Sequence, residues 1–125
     1  MRIAAVSDLH VNYARHAEGL ERLLAALPGL RADVLVVAGD FASGPFEEHY
    51  ARWLPRLAAF AGPRLAVPGN HDLWQLRGPT GARHRAVCAH LREHGWHCLD
   101  EEPFRWRGVT LAGNVGWYDY SFYPA

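Results

Sequence analysis

Asp33-Val34-Leu35-Val36-Val37-Ala38-Gly39-Asp40 is the stretch that decides the fold. Its centre is apolar and rich in β-branched residues, which suits a strand buried on both faces. It stops at a glycine followed by a carboxylate. Two other stretches repeat the scheme. Arg2 to Ser7 is a short apolar run leading into Asp8-Leu9-His10, and Arg64-Leu65-Ala66-Val67 leads through Pro68 into Gly69-Asn70-His71-Asp72.

Helical patterns lie between these runs. Leu20, Leu23, Leu24 and Leu27 fall at i, i+3, i+4 and i+7 and stop at Pro28-Gly29. Tyr50, Trp53, Leu54 and Leu57 keep the same rhythm after Phe46, with Pro55 expected to kink or split the helix. A third helix is expected over residues 82–94, ending at Gly95. Strands alternating with helices at this spacing imply right-handed crossovers and a parallel sheet. After Gly95 the rhythm changes to three short strands: Trp96 to Leu99, Phe104 to Arg107, and Val109 to Ala112. Arg107-Gly108 is the expected hairpin turn between the last two.

The chain has 125 residues, enough for a single domain spanning 1–125. Half the residues are apolar and 21% are charged, as in ordinary globular proteins. Thirteen acids balance thirteen bases, all of them Arg. A zero balance argues against a chain built to grip nucleic-acid phosphates or an acidic membrane. No apolar run approaches a membrane span, and Met1-Arg2 runs into an apolar stretch too short for a signal peptide. The expectation is a soluble cytoplasmic protein with no membrane partner. Cys88 and Cys98 are too few for a disulfide scaffold and are read as free thiols.

The polar clusters carry the chemistry. Ligands of open parallel sheets bind at the carboxyl ends of the strands. Asp8 and His10, Asp40, and Asn70, His71 and Asp72 therefore converge on one edge from positions about thirty residues apart. Carboxylates brought together unpaired are unfavourable, and a dication relieves that cost. The mixed oxygen and nitrogen set suits Mn, Fe, Zn or Ni better than Ca or a thiolate site. Spacing by two would place Asp8 and His10 on the same side of an extended strand, with Leu9 turned to the core. Gly39 and Gly69 would let the chain turn sharply and lift the next side chain over the sheet edge.

Asp8-x-His10, Gly39-Asp40 and Gly69-Asn70-His71-Asp72, in this order and each after an apolar strand, resemble the calcineurin-like metallophosphoesterase family. The resemblance covers the whole chain. It implies a four-layer α/β/β/α sandwich around two divalent metal ions. Carried over residue by residue, Asp8 and His10 would bind the first metal, Asp40 would bridge both, and Asn70 would bind the second. His71 would act as general acid, with Asp72 orienting it. The implied reaction is hydrolysis of a small phosphomonoester or phosphodiester, with a metal-bound hydroxide as nucleophile. No Ser or Cys nucleophile is required. Nucleic acid stays open as a substrate, although no basic surface is set aside for it.

The family pattern continues with a lone His and a Gly-His-x-His motif, and no Gly-His-x-His follows Asp72 here. The expectation is a sandwich incomplete at its C-terminus, as in a fragment of a longer enzyme. A rival reading is a non-catalytic truncated relative that keeps a partial metal site as an interaction scaffold. His90 and His94, at i and i+4, read as ordinary helix-surface histidines. Trp53, Trp96, Trp106 and Trp117 read as packing residues, as does the Tyr118-Asp119-Tyr120 cluster. Trp74, Arg77, Arg83 and Arg85 follow the last motif, where a ring or a guanidinium could meet a substrate.

Overall fold

A computed structural model of the chain describes residues 1–74 and 78–116. Arg77, Trp117 and the Tyr118-Asp119-Tyr120 cluster lie outside them. The central run forms β2 (Val34–Ala38), flanked by β1 (Ile3–Val6) on one side and β3 (Arg64–Val67) on the other. A fourth strand, β4 (His97–Cys98), adds to β3, and all three pairings are parallel. The crossovers run through α1 (Ala17–Ala26), α2 (Phe46–Leu57), and then α3 (Asn70–Leu73) with α4 (Thr80–Glu93).

Alternation along the strands sends side chains to two different layers. Leu35, Val37, Ala66 and Cys98 face the helices and join Leu20, Leu54, Leu57, Val87 and Leu91 in the main core. Val34, Leu65 and Leu99 face the other way. There they meet Phe104 and Leu111 of a hairpin, β5 (Phe104–Trp106) and β6 (Val109–Leu111). Helices, parallel sheet and hairpin thus make three layers of an α/β sandwich. The hairpin turn is Arg107-Gly108, both at positive φ. That is the two-residue geometry whose twist matches the flanking strands. The hairpin covers only part of its face, for Ile3 stays 46% exposed.

Three sequence expectations need adjustment. Pro55 does not split α2, which runs through to Leu57. The proline sits in the last turn, where its missing N–H removes one bond close to the helix end. The third helix starts at Thr80 and ends at Glu93 rather than spanning 82–94. The segment after Gly69 holds a helical turn, α3, so Asn70, His71 and Asp72 stand on a helix and not on a loop.

Candidate metal centre

β1 ends at Val6, and the chain then turns out of the sheet. Asp8 and His10 both adopt left-handed backbone conformations, with φ of 55° and 41°. They are therefore not alternate residues of an extended strand. Asp40 is left-handed too, at 54°. L-residues visit this region at a cost of about 1–2 kcal/mol, so three together must be held by their surroundings. The N–H groups of Asp8 and His10 donate to the carbonyls of Gly39 and Asp40 at 3.1 and 3.0 Å, and that of Val11 to Phe41 at 2.9 Å. The first two strand-end loops are thus laced together by backbone. Leu9, between the two candidate ligands, is buried as expected.

The third loop joins through Gly69. A Cβ built there would stand 2.2 Å from Asp40 Oδ1 and 2.3 Å from the Asp40 amide nitrogen. Only glycine lets the backbone approach Asp40 this closely. Asp40 Oδ1 in turn accepts the His71 amide at 2.9 Å, which fixes the carboxylate and leaves Oδ2 free. Oδ2 lies 3.9 Å from His10 Nε2 and 4.0 Å from His71 Nε2. His10 Nε2 also stands 4.0 Å from Asp8 Oδ1. These separations are too long for hydrogen bonds. They are close to twice the ~2.0–2.2 Å length of a nitrogen or oxygen bond to a transition metal.

The donor set fits a metal on two further observations. Ligand atoms of His10, Asp40 and His71 all lie within 4.8 Å of one another. The His10 ring is buried around Nδ1, which has no hydrogen-bond partner, and its Nε2 faces both carboxylates. Beside this cluster a cleft of about 430 Å³ is lined by Asp8, Asp40, Asn70 and Asn114, among others. Asp40 belongs both to the imidazole cluster and to the cleft wall. The structure thus gathers Asp8, His10, Asp40, Asn70 and His71 at one sheet edge.

Asp72 differs from the expectation. Its carboxylate is 1% exposed and turns inward. It accepts the amides of Phe41 at 3.2 Å, Ala42 at 2.8 Å and Gly69 at 2.8 Å. The Tyr50 side chain stands beside it. Burial pushes the Asp72 carboxyl up from its ordinary range, and the three amides pull it back. The same burial, with Asp72 alongside, pushes the Tyr50 phenol well above its usual value. Asp72 therefore ties the Asp40 loop to the Gly69 loop. The imidazole of His71 has another partner: its Nδ1 lies 3.0 Å from Ser43 Oγ. Ser43 is placed by its own amide, which donates to Asn12 Oδ1 at 3.1 Å.

Ser43 and Asn114 are site residues that sequence reasoning missed. Serine three residues past Asp40 carries no distinctive signal. Asn114 arrives because Gly113 packs tightly on β3, where a Cβ would stand 2.3 Å from the Val67 side chain. Other residues sort plainly. The Trp74 ring lies 4.0 Å from that of His71 and is 48% exposed at the rim. Arg83 is engaged with carbonyls, its Nε donating to Asp72 O at 2.9 Å and its Nη2 to Gly44 O. Arg85 is exposed on α4. His90 packs against Phe46 and Tyr50, and His94 Nδ1 bonds the His90 carbonyl. Trp53 and Trp96 are buried, and Trp106 is half-buried. Among the described residues no helix is long and apolar enough to cross a membrane.

Comparison with known proteins converges on the same reading. Acyl-carrier-protein phosphodiesterase PptH of Mycobacterium tuberculosis is 32% identical over 130 residues. The match covers 96% of this chain, which spans about 38% of that curated relative's length. The strand-end motifs fall inside a stretch, residues 1–123, that matches the calcineurin-like phosphoesterases throughout, and it is to that family that the chain belongs.

Proposed function

We propose that this sheet edge serves metal-dependent hydrolysis of a phosphomonoester or phosphodiester at a two-metal centre. The observation that carries the reading is the position of Asp40, common to the imidazole cluster and to the cleft that Asp8 and Asn70 line. A carboxylate with one oxygen fixed and the other free is suited to be shared. Asp8 and His10 would hold one ion, Asn70 the other, and Asp40 both. When bound, such ions polarise phosphoryl oxygens and lower the pKa of water. The chain's own residues supply the rest. His71, with Nδ1 on Ser43, can present a proton from Nε2 toward a leaving alkoxide. Trp74 at the rim shields that ring from one side. The relative is named a phosphodiesterase, so a phosphodiester is the first substrate class to try.

One observation favours a second role for His71. Its Nε2 stands as close to the free Asp40 oxygen as does that of His10, the geometry of a further ligand. Two variants separate the roles. Asp40→Asn should abolish binding of the metal pair, read by calorimetric titration with Mn²⁺ and by elemental analysis. Unchanged stoichiometry would sink the shared-ligand assignment. His71→Ala should keep its metal and lose about 10²–10⁴-fold in kcat on an alkyl phosphodiester, with a smaller loss on a nitrophenyl ester. A His71→Ala protein that no longer holds metal makes His71 a ligand and removes it as general acid.

A further inference from the structure

The second group of reactive side chains lies away from the strand-end loops, where α4 meets β4. Cys88 is in the middle of α4 and Cys98 ends β4. Both are free thiols and both are buried. Their Sγ atoms are in direct contact at 2.7 Å. The segment joining them is only the end of α4, the Gly95 turn and the start of β4, so the pair is presented by elements that are already packed together.

We propose that Cys88 and Cys98 form a reversible modification site, in which the dithiol becomes an intrachain disulfide by exchange with a small-molecule disulfide of the glutathione type. Access is from one side. Cys98 lines a surface cleft of about 490 Å³ walled by Arg92, Trp96, His97 and Glu101. Cys88 stands behind it. The roles follow: Cys98 meets the reagent and Cys88 resolves. A hydrogen bond joins the two thiols, and either sulfur can donate it. A ring N–H already committed to a carboxylate borders the second thiol. His84 Nε2 lies 3.6 Å from Cys88 Sγ and 2.6 Å from Asp100 Oδ2.

The exchange balances without any other oxidant. The Cys98 thiolate attacks one sulfur of the reagent, the reagent's S–S bond breaks, and one small thiolate leaves. The released small thiolate takes the Cys88 proton, and the Cys88 thiolate attacks the Cys98 sulfur of the mixed disulfide. The second small thiol leaves with a proton. Two protein thiols have been oxidised and one reagent disulfide has been reduced to two thiols.

A metal is the rival occupant, because Cys88, Cys98 and Glu101 stand near one another. The sulfurs argue against it. Two thiolates bound at ~2.3 Å in a tetrahedral site stand roughly 3.7 Å apart. Glu101 is also taken by Arg92.

The test equilibrates the protein in glutathione buffers of stepped ratio, quenches with acid, alkylates the remaining thiols and records the intact mass. Wild type should pass in one transition from two alkylated thiols to none, with the Cys88 and Cys98 peptides joined after digestion. Cys88→Ser should trap a glutathione adduct on Cys98. Cys98→Ser should react more slowly than Cys88→Ser, by roughly tenfold or more. Wild type keeping two alkylatable thiols at every ratio overturns the proposal, and so does stoichiometric zinc that protects them. Equal adduct formation in the two variants overturns the assigned roles. Should either variant fail to fold by circular dichroism, the wild-type series alone decides.

Discussion

Among the described residues two clusters of reactive side chains are built in opposite ways. The cysteine pair rests on regular structure, with one sulfur from the middle of a helix and one from a strand, set by ordinary backbone geometry. The Asp40 cluster rests on two strand-end loops and the short helix α3. Three of its candidate ligands have left-handed backbones, and the loops are spliced by amide bonds, a glycine contact and a buried carboxylate. The first kind of site follows from the fold. The second needs its own internal scaffold, and that scaffold should fail without the fold failing.

The largest expected break is at Asp72. Asp72→Ala leaves three amides, two of them buried, without their acceptor and should cost about 3–5 kcal/mol, read by urea denaturation. Metal affinity should fall with it, while the two thiols keep their reactivity in the fraction still folded. A loss below about 1 kcal/mol would show that water replaces the carboxylate and that the splice is dispensable.

Gly69→Ala strikes the same loops more locally. The added methyl must displace Asp40, and overpacking of this sort costs about 1–3 kcal/mol. The expected signature is selective: titration with Mn²⁺ should show lost binding while the melting transition stays cooperative. Retained binding would mean that the Asp40 loop can retreat and still offer its ligand.

The smallest effect should come from the matching glycine beside the cysteines. Gly95 has φ of 74°, and a Cβ there would meet only the end of the Arg64 side chain at 3.4 Å. Gly95→Ala should cost about 1–2 kcal/mol of backbone strain and leave Mn²⁺ binding untouched. A metal-binding defect in this variant would collapse the distinction between the two regions.

Much of this was legible in the chain. Val34 to Ala38 announced a buried strand through β-branched residues, and Gly39-Asp40 announced what followed it. Asp8, His10, Asp40, Asn70 and His71 were expected at one edge because parallel strands put their ends there. The role of Asp72 was not legible, because two of its three amide partners lie about thirty residues away, where no side-chain pattern records them. The left-handed turns at Asp8 and His10 were hidden for a similar reason. Spacing by two suits a strand, and only the carbonyls of Gly39 and Asp40 pull the chain out of one. Ser43 was missed because a lone serine after Gly-Asp has no periodic or compositional mark.

The strand register has a kinetic and thermodynamic side. Ile3 pairs with Val34, Leu35 with Arg64, and Leu65 with His97, so every pairing of the parallel sheet closes a loop of about thirty residues. Each closure costs roughly 3 kcal/mol of chain entropy before its contacts form. The residues that would hold an ion are separated by these same loops. In the unfolded chain the Asp8-His10, Asp40 and Asn70-His71 groups are distant from one another, and the full ligand set is not assembled. An ion that binds only the folded form would deepen its free-energy minimum by about 2.7 kcal/mol at a hundredfold excess over Kd. Dissolved metal would therefore act on this chain as a folding ligand, holding the carboxyl ends of β1, β2 and β3 together.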